Sequence, residues 1–360
     1  MRDYRHTVVC GRIDRLGFRL RNMLCAWELA ERIGARLIVN WNEHDKYENI
    51  PFNLFQILDS SIETTHGDFF TLDSRPYEAL CADIGLDPKR KFDLGPDLTV
   101  ADLQASAPGY LPYRSDSPYR FQGRARDDGR AAIRDVFWRL PLAPAVSDAL
   151  LDLQSRFDIA RATTVHVRRG DIVSKGKISI PRDTANPDAW RTKVKLKFGK
   201  FGDRYAPERA YHDAIEATAP GSPLVILSND AELRTRLEGA FSDRVVPVHE
   251  ALDAADLSVM QRAFVEMLVM AKSATIIGTQ SQFAKLPSIL GPVPFVPVFD
   301  YADPIELFDL IEDVHSDVPD RAELLDAFAE YYVEKFHYWD MPVAAARFET
   351  FQTERRAQQV

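Results

Sequence analysis

The sequence contains little cysteine and no long apolar run, and both shortages restrict what the protein can be. Its three cysteines, Cys10, Cys25 and Cys81, are too few and too scattered for a disulfide framework or a zinc site. No apolar stretch approaches the roughly 18 residues that a membrane-spanning helix needs, and the charged start MRDYRH is unlike a signal peptide. We therefore expect a cytoplasmic protein.

Positive charge is outnumbered by negative charge overall, but it is concentrated in one region. The 360 residues carry a net charge of −9, with 45 Lys or Arg against 54 Asp or Glu. Between Arg168 and Arg209, in contrast, 12 Lys or Arg stand against 5 Asp or Glu. An acidic protein that concentrates its positive charge in this way is expected to hold an anion there. A nucleic-acid partner would need a wider basic surface, so we expect none.

The start of the basic region, residues 163–172 (TTVHVRRGDI), is the best candidate for an anion site. Its β-branched residues and alternating pattern predict a strand that ends at Arg168 and Arg169. The guanidinium fork suits phosphate oxygens, and ligands of open α/β sheets bind at the carboxyl ends of strands. The alternative is a strand that ends in two solvated arginines, followed by an Arg-Gly-Asp tripeptide without function.

The beginning of the chain contains a second candidate anion site. Residues 7–10 and 36–39 predict strands, and the spacing of apolar residues predicts a helix over 19–33 that ends at Gly34. Gly17, Arg19 and Arg21 would lie at the helix N-terminus, where backbone N–H groups favour an anion. Alternatively, the two arginines lie on a solvent-exposed helix face.

The second half of the chain repeats a pattern of strand, polar turn and helix. We predict strands at 224–227, 245–248, 274–277 and 295–299, with Asp230 after the first and Thr279 and Ser281 after the third. Such turns suit phosphate binding and helix capping equally well. The alternation predicts an α/β protein with two Rossmann-like, doubly wound domains that face a cleft. We place these domains at 1–158 and 159–310, with C-terminal helices at 311–360 packing back on the first.

Two further features leave alternatives open. Glu266 interrupts the apolar helix predicted at 256–272, so its carboxylate should either reach the surface or hold a partner. The basic insertion at 174–209 contains the alternating sequence KVKLKF, in which Lys193, Lys195 and Lys197 share one face of a predicted strand. This face could be merely solvated, or it could contact an anionic acceptor or the surface of a membrane.

Four motifs in the chain together resemble the fucosyltransferase superfamily with the two-domain GT-B fold, which includes the α1,2-, α1,6- and protein O-fucosyltransferases. In chain order they are GRIDRLGFRLRNMLCAWELAERIGARLIVNW from Gly11, VHVRRGD from Val165, VILSNDAEL from Val225 and FVEMLVMAKSATIIGTQSQFAKL from Phe264. In the first motif Phe18 stands where the superfamily commonly has Asn. The resemblance implies that the first domain binds the acceptor and the second binds the nucleotide sugar.

The resemblance also implies an activity and a set of roles. It implies inverting transfer of L-fucose from GDP-β-L-fucose to a glycan or glycoconjugate hydroxyl, without a required metal or cofactor. Arg168 would bind the pyrophosphate and stabilise the leaving nucleotide, with Arg169 beside it. The remaining donor contacts would come from His166, Gly17, Arg19, Arg21, Asp230, Glu266, Thr279, Ser281 and Gln282.

The catalytic base is left open by the same comparison. Related α1,6 enzymes carry a glutamate a few residues beyond the arginine motif, whereas this sequence has no acid between Asp171 and Asp183. Asp171 is our first candidate for the base, and Asp14 and Glu43 are the alternatives. Two other functions also fit the sequence, namely a glycosyltransferase that uses another nucleotide sugar, and a nucleotide- or glycan-binding protein without turnover.

Overall fold

The computed structural model describes residues 4–11, 15–42, 53–89, 98–115, 125–168, 192, 205–315 and 321–358. It divides into two compact units. The first comprises Met1–Arg156, Ala251–Lys272 and Lys285–Val293, and the second comprises Phe157–Glu250, Ser273–Ala284 and Pro294–Val360. The main division lies close to the predicted boundary at 158, but two later segments of the chain return to the first unit.

The first unit is built on a parallel sheet of four strands. These are β1 (His6–Gly11), β2 (Arg36–Asn40), β3 (Phe70–Asp73) and β4 (Gly109–Tyr113), in the order β3-β2-β1-β4. Val8 and Val9 of β1 are fully buried, which is typical of a strand with helices on both faces. Since β2 and β4 flank β1, the order of the strands reverses beside β1.

Helix α1 (Leu16–Ile33) follows β1 and provides the centre of the first unit's core. It begins three residues before the predicted start, and Leu20, Leu24 and Trp27 on its apolar face are almost completely buried. Gly34 ends the helix, as predicted. It adopts the left-handed conformation at φ 66°, and its backbone N–H donates to carbonyl oxygens of the last turn. The other helices of this unit are α2 (Ser61–Thr65), α3 (Tyr77–Asp83), α4 (Val100–Ala105), α5 (Arg126–Arg139), α6 (Pro144–Arg156) and, much later in the chain, α10 (Val259–Lys272).

The second unit is built on another parallel sheet of four strands. These are β5 (Thr163–Val167), β6 (Leu224–Ser228), β7 (Thr275–Gly278) and β8 (Phe295–Pro297), in the order β6-β5-β7-β8. The chain runs from β5 to β6 on one side and then crosses to β7 on the other side of β5. The strand order therefore reverses between β5 and β7, and the two sheets confirm the predicted α/β class of two Rossmann-like units.

The C-terminal helices share the core of the second unit. Phe328, Tyr332 and Phe348 are fully buried and belong to the same cluster as Val165 of β5. This differs from the prediction that residues 311–360 pack on the first domain, because an apolar helix face does not reveal which sheet it covers. The helices of this unit are α7 (Glu208–Thr218), α8 (Ala231–Ala240), α12 (Pro304–His315), α13 (Arg321–Tyr338) and α14 (Pro342–Gln358), whereas α9 (Val248–Ala254) and α11 (Gln282–Leu290) contribute residues to both units.

One predicted strand is absent from the second sheet. At 245–248 the structure has only an isolated bridge between Leu224 and Val245, and helix α9 begins at Val248. Pro247 lacks a backbone N–H, so the segment cannot continue a regular ladder.

Among the residues that the structure describes, every helix is too short or too polar to cross a lipid bilayer.

Candidate active site

The candidate site lies at the carboxyl ends of β5 and β7 in the second unit. The strand order reverses between these two neighbouring strands, so the segments that follow them lead away to opposite sides of the sheet. Ligands of open α/β sheets bind in the crevice that such a reversal creates. The residues just after β5 and β7 therefore form the candidate site.

The structure brings together Arg168 and Ser281, two residues that the sequence proposed separately. Arg168 directly follows β5, and its Nη1 donates a hydrogen bond of 3.1 Å to Oγ of Ser281 beyond β7. The same hydroxyl accepts a hydrogen bond from the backbone N–H of Phe283 in the first turn of α11. A fixed positive charge and the N-terminus of a helix thus meet at one point, and both favour an anion.

His166 lies beside this arginine on β5 and is held as a neutral imidazole. Its ring stacks on Phe283, with the ring centroids 5.2 Å apart and the planes at 29°. Burial, followed by the positive charge of Arg168, lowers the pKa of His166 to about 3. The imidazole is therefore uncharged at neutral pH and adds hydrogen-bonding atoms, but no charge, to the site.

The turn after β7 is held by the side chain of Gln280, which bonds to the segment between the last two helices. Gln280 is only 7% exposed, and its Nε2 donates a hydrogen bond to Sδ of Met341, which lies just before α14. Thr279 is fully buried at the end of the strand, and Gln282 is half-buried at the start of α11. The turn that presents Ser281 is thus supported by the core of its own unit.

Asp230 caps a helix after β6. Its Oδ1 accepts a hydrogen bond of 3.0 Å from the backbone N–H of Leu233 in α8. The capping role that the sequence allowed is therefore confirmed. A contact of Asp230 with guanine or ribose stays a prediction.

The arginines at the start of α1 belong to the first unit and are buried. Nη1 of Arg19 donates a hydrogen bond of 2.7 Å to the carbonyl oxygen of Asn42, beyond β2, and its guanidinium lies 5.8 Å from the ring centroid of Trp41. Arg21 and Gly17 are also buried. The alternative of an exposed arginine face is thus wrong, whereas donor binding by these three residues stays a prediction.

Glu266 also lies in the first unit, on α10, although the sequence placed it in the donor domain. Nε of Arg262 lies 3.4 Å from Oε1 of Glu266, one helical turn away, and Arg262 pairs with Asp253 as well. The carboxylate therefore holds a partner, which was one of its two expected fates. The structure does not bring it together with Arg168 in one unit.

Several of the predicted site residues lie outside the described residues. These are Arg169 and Asp171, the alternative bases Asp14 and Glu43, and the lysine-rich strand of the basic insertion. Their predicted roles therefore stay predictions.

Comparison with known proteins finds similarity at the level of structure. No protein-family model and no curated protein matches the chain. Among solved structures, the fucosyltransferase NodZ from Bradyrhizobium is 14% identical, with 82% of this chain and 96% of that chain covered and a TM-score of 0.47. POFUT1 in complex with GDP-fucose is 11% identical, with 81% of this chain and 97% of that chain covered and a TM-score of 0.44. Similarities this distant leave the assignment of function to the site itself.

The sequence did not single out Phe283 or Met341 as parts of the site, and it did not show how Gln280 is held. Phe283 is an apolar residue in an apolar helix, and nothing in its spacing shows that it stacks on His166. Gln280 and Met341 are 61 residues apart, so their contact depends on the packing of the C-terminal helices. Only the position of Gln280 between Thr279 and Ser281 gave a signal, and capping explained it equally well.

The buried imidazole of His166 predicts a pH-dependent stability. The unfolded chain takes up a proton near pH 6.5, whereas the folded chain takes it up only near pH 3. Between these values the unfolded state binds more protons, so stability falls as the pH falls. We expect His166 to lower the free energy of unfolding by about 2 kcal/mol when the pH is lowered from 7 to 5.

Urea unfolding at several pH values, compared between the wild type and His166→Gln, measures this cost. All other histidines titrate alike in the two proteins, so the difference between their pH profiles isolates His166. Parallel profiles would show that the imidazole is protonated normally in the folded state.

Proposed function

We propose that the protein is a glycosyltransferase that moves L-fucose from GDP-β-L-fucose to a hydroxyl group of a glycan or glycoconjugate. The proposal is supported by one observation above all, the Arg168–Ser281 pair at the point where the strand order of the second sheet reverses. Arg168 is also the arginine of the VHVRRGD motif, whose resemblance to the fucosyltransferase superfamily supplies the identity of the donor.

The chemistry of the donor explains why an arginine is needed at this position. When the bond between C1 of fucose and the diphosphate breaks, negative charge grows on the leaving GDP. A fixed guanidinium and the N-terminal N–H groups of α11 stabilise that charge more in the transition state than in the ground state. Ser281 orients the guanidinium before the donor arrives, and the neutral His166 does not compete with it for the anion.

The remaining parts of the reaction follow from the proposed donor. Inversion at C1 requires the acceptor hydroxyl to attack from the face opposite the diphosphate, with a base that removes its proton. Asp171 remains our first candidate for that base. A fixed cation at the diphosphate would allow transfer without a metal ion, which is a further part of the proposal.

Calorimetric titration with nucleotides tests the donor site. We expect GDP to bind with a micromolar Kd, and UDP and ADP to bind at least about tenfold more weakly. GMP should also bind more weakly, because it lacks the second phosphate that Arg168 would contact. Equal binding of UDP would favour another nucleotide sugar, and absence of binding by all four nucleotides would refute the donor site.

Incubation with GDP-fucose then separates an enzyme from a binding protein. An enzyme releases GDP, by slow hydrolysis alone and faster when a suitable acceptor is present. A protein that binds GDP selectively but never releases it from GDP-fucose, with any acceptor of a broad oligosaccharide panel, would be a binding protein.

A further inference from the structure

A groove with a volume of about 650 Å³ lies within the second unit, apart from the Arg168–Ser281 pair. Its size falls within the range of about 300–1,000 Å³ that is usual for small-ligand pockets. Its lining comes from α7, from the segment between β8 and α12, from the start of α12 and from α14. The lining residues are Arg209, Asp213, Tyr301, Asp303, Pro304, Glu306, Ala346, Arg347, Thr350, Phe351 and Glu354.

Two aromatic rings and a proline are among the residues that line the groove. Tyr301 and Phe351 are half-buried, and both pack against the apolar core of the second unit. Pro304 beside them is buried. Aromatic rings in the lining of a groove can offer a flat surface with a negative quadrupole, which attracts the polarised C–H groups on one face of a sugar ring. Such a surface costs little entropy when a ligand binds.

The rest of the lining, here called the rim, consists mainly of polar and charged side chains, several of which have hydrogen-bonding or ionic partners. Nη1 of Arg209 lies 3.1 Å from Oε1 of Glu306 and Nε lies 3.8 Å from Oδ2 of Asp213. Nη1 of Arg347 donates a hydrogen bond of 3.2 Å to the carbonyl oxygen of Ala302. Donors and acceptors at close spacing suit hydroxyl groups, each of which can donate and accept a hydrogen bond.

The charge of the rim restricts the ligand further. Two arginines stand against the four carboxylates of Asp213, Asp303, Glu306 and Glu354, so the lining carries an excess of negative charge. Sulfated or carboxylated ligands are therefore repelled, whereas neutral and amine-bearing ones are not.

Some of the lining residues belong to segments that follow strands at the same edge of the sheet as Arg168. Arg209 lies in the first turn of α7, which leads the chain back from the carboxyl end of β5 toward β6. Tyr301 ends the 3₁₀ turn Val298–Tyr301, which directly follows the carboxyl end of β8. The lining thus includes residues at the edge of the sheet where the proposed donor binds.

We infer that this groove binds a neutral or amine-bearing oligosaccharide, as a subsite that holds a part of the acceptor remote from the reacting hydroxyl. The choice of ligand class rests on the proposed function. Binding energy from such a remote part of the substrate can be used to position the reacting group.

Titration of the full chain with tetrasaccharides, in the absence of any nucleotide, tests this inference. The neutral probes are cellotetraose, maltotetraose and mannotetraose, the cationic probe is the glucosamine tetramer, and the anionic probe is a heparin tetrasaccharide. Saturation-transfer NMR detects binding, and calorimetry measures it. We expect at least one neutral or cationic probe to bind and the heparin probe to bind at least tenfold more weakly.

Two groove variants and a matched control locate the binding. Ala346→Trp fills the groove from an exposed position, and Phe351→Leu keeps an apolar side chain but removes the aromatic face. Each should weaken tetrasaccharide binding at least tenfold. Val343→Trp, at an exposed position of the same helix outside the groove lining, should leave it unchanged.

The results also separate this inference from the proposed donor site. Binding of a tetrasaccharide without GDP binding would support the groove and refute the donor. Absence of binding by every probe, a preference for heparin, or full affinity in both groove variants would overturn the inference, even where GDP still binds.

Discussion

Replacing Arg168 with alanine is expected to lower kcat/KM for GDP-fucose by about 100- to 1,000-fold, with the fold left intact. The guanidinium supplies a fixed positive charge at the diphosphate in the proposed mechanism, and alanine supplies none. The bond to Ser281 holds that charge at 3.1 Å from a hydroxyl that also bonds to the first turn of α11. The measurement is steady-state release of GDP, with circular dichroism and thermal unfolding as checks on the fold.

Two variants make this result specific. Arg168→Lys keeps the charge but loses the planar fork, so its activity should lie between those of the wild type and the alanine variant. Arg161→Ala removes an arginine of the same unit whose side chain is 82% exposed, and it should remain fully active. Activity of Arg168→Ala within about threefold of the wild type would mean that the leaving group is stabilised elsewhere.

Replacing Phe328 with alanine is expected to lower the free energy of unfolding by about 3–5 kcal/mol. Phe328 is fully buried on α13 and is surrounded by aromatic rings. Its ring centroid lies 4.6 Å from that of Tyr332, 5.3 Å from that of Phe308 and 6.0 Å from that of Phe348. Truncation removes these contacts and leaves a cavity that rigid neighbouring rings cannot fill. Urea unfolding monitored by circular dichroism measures the loss.

The same helix provides the matched control. Tyr338 is 80% exposed at the end of α13, so Tyr338→Ala should change the free energy of unfolding by less than about 1 kcal/mol. A loss below about 1 kcal/mol in Phe328→Ala would show that the C-terminal helices are not part of a cooperative core.

The sequence predicted the strands better than their arrangement. The strand predicted at residues 163–167 is confirmed as β5. A strand that is buried on both faces consists almost entirely of β-branched and apolar residues, and that composition is visible in the sequence. The pairing of β5 with β7 could not be read in the same way, since strand order depends on contacts between distant segments. Arg168 and Ser281 are 113 residues apart, and only that pairing brings them together.

Helix assignments show the same limit. The spacing of apolar residues correctly predicted a long helix at the start of the chain. It did not reveal that Arg19 is buried against the carbonyl of Asn42, since a charged residue near a helix start is more often solvated. Nor did it show that the C-terminal helices cover the second sheet. In each case the deciding interaction joins residues that are far apart in the chain.

The shared core of β5 and the C-terminal helices has a consequence for synthesis of the protein. Phe348 packs in the same cluster as Val165, so the chain must be synthesised through α14 before the second unit can bury its apolar residues. Until then, the part of that core that precedes α13 stays open to water and to other nascent chains. Termination of translation before α14 should therefore yield aggregates rather than a smaller folded protein.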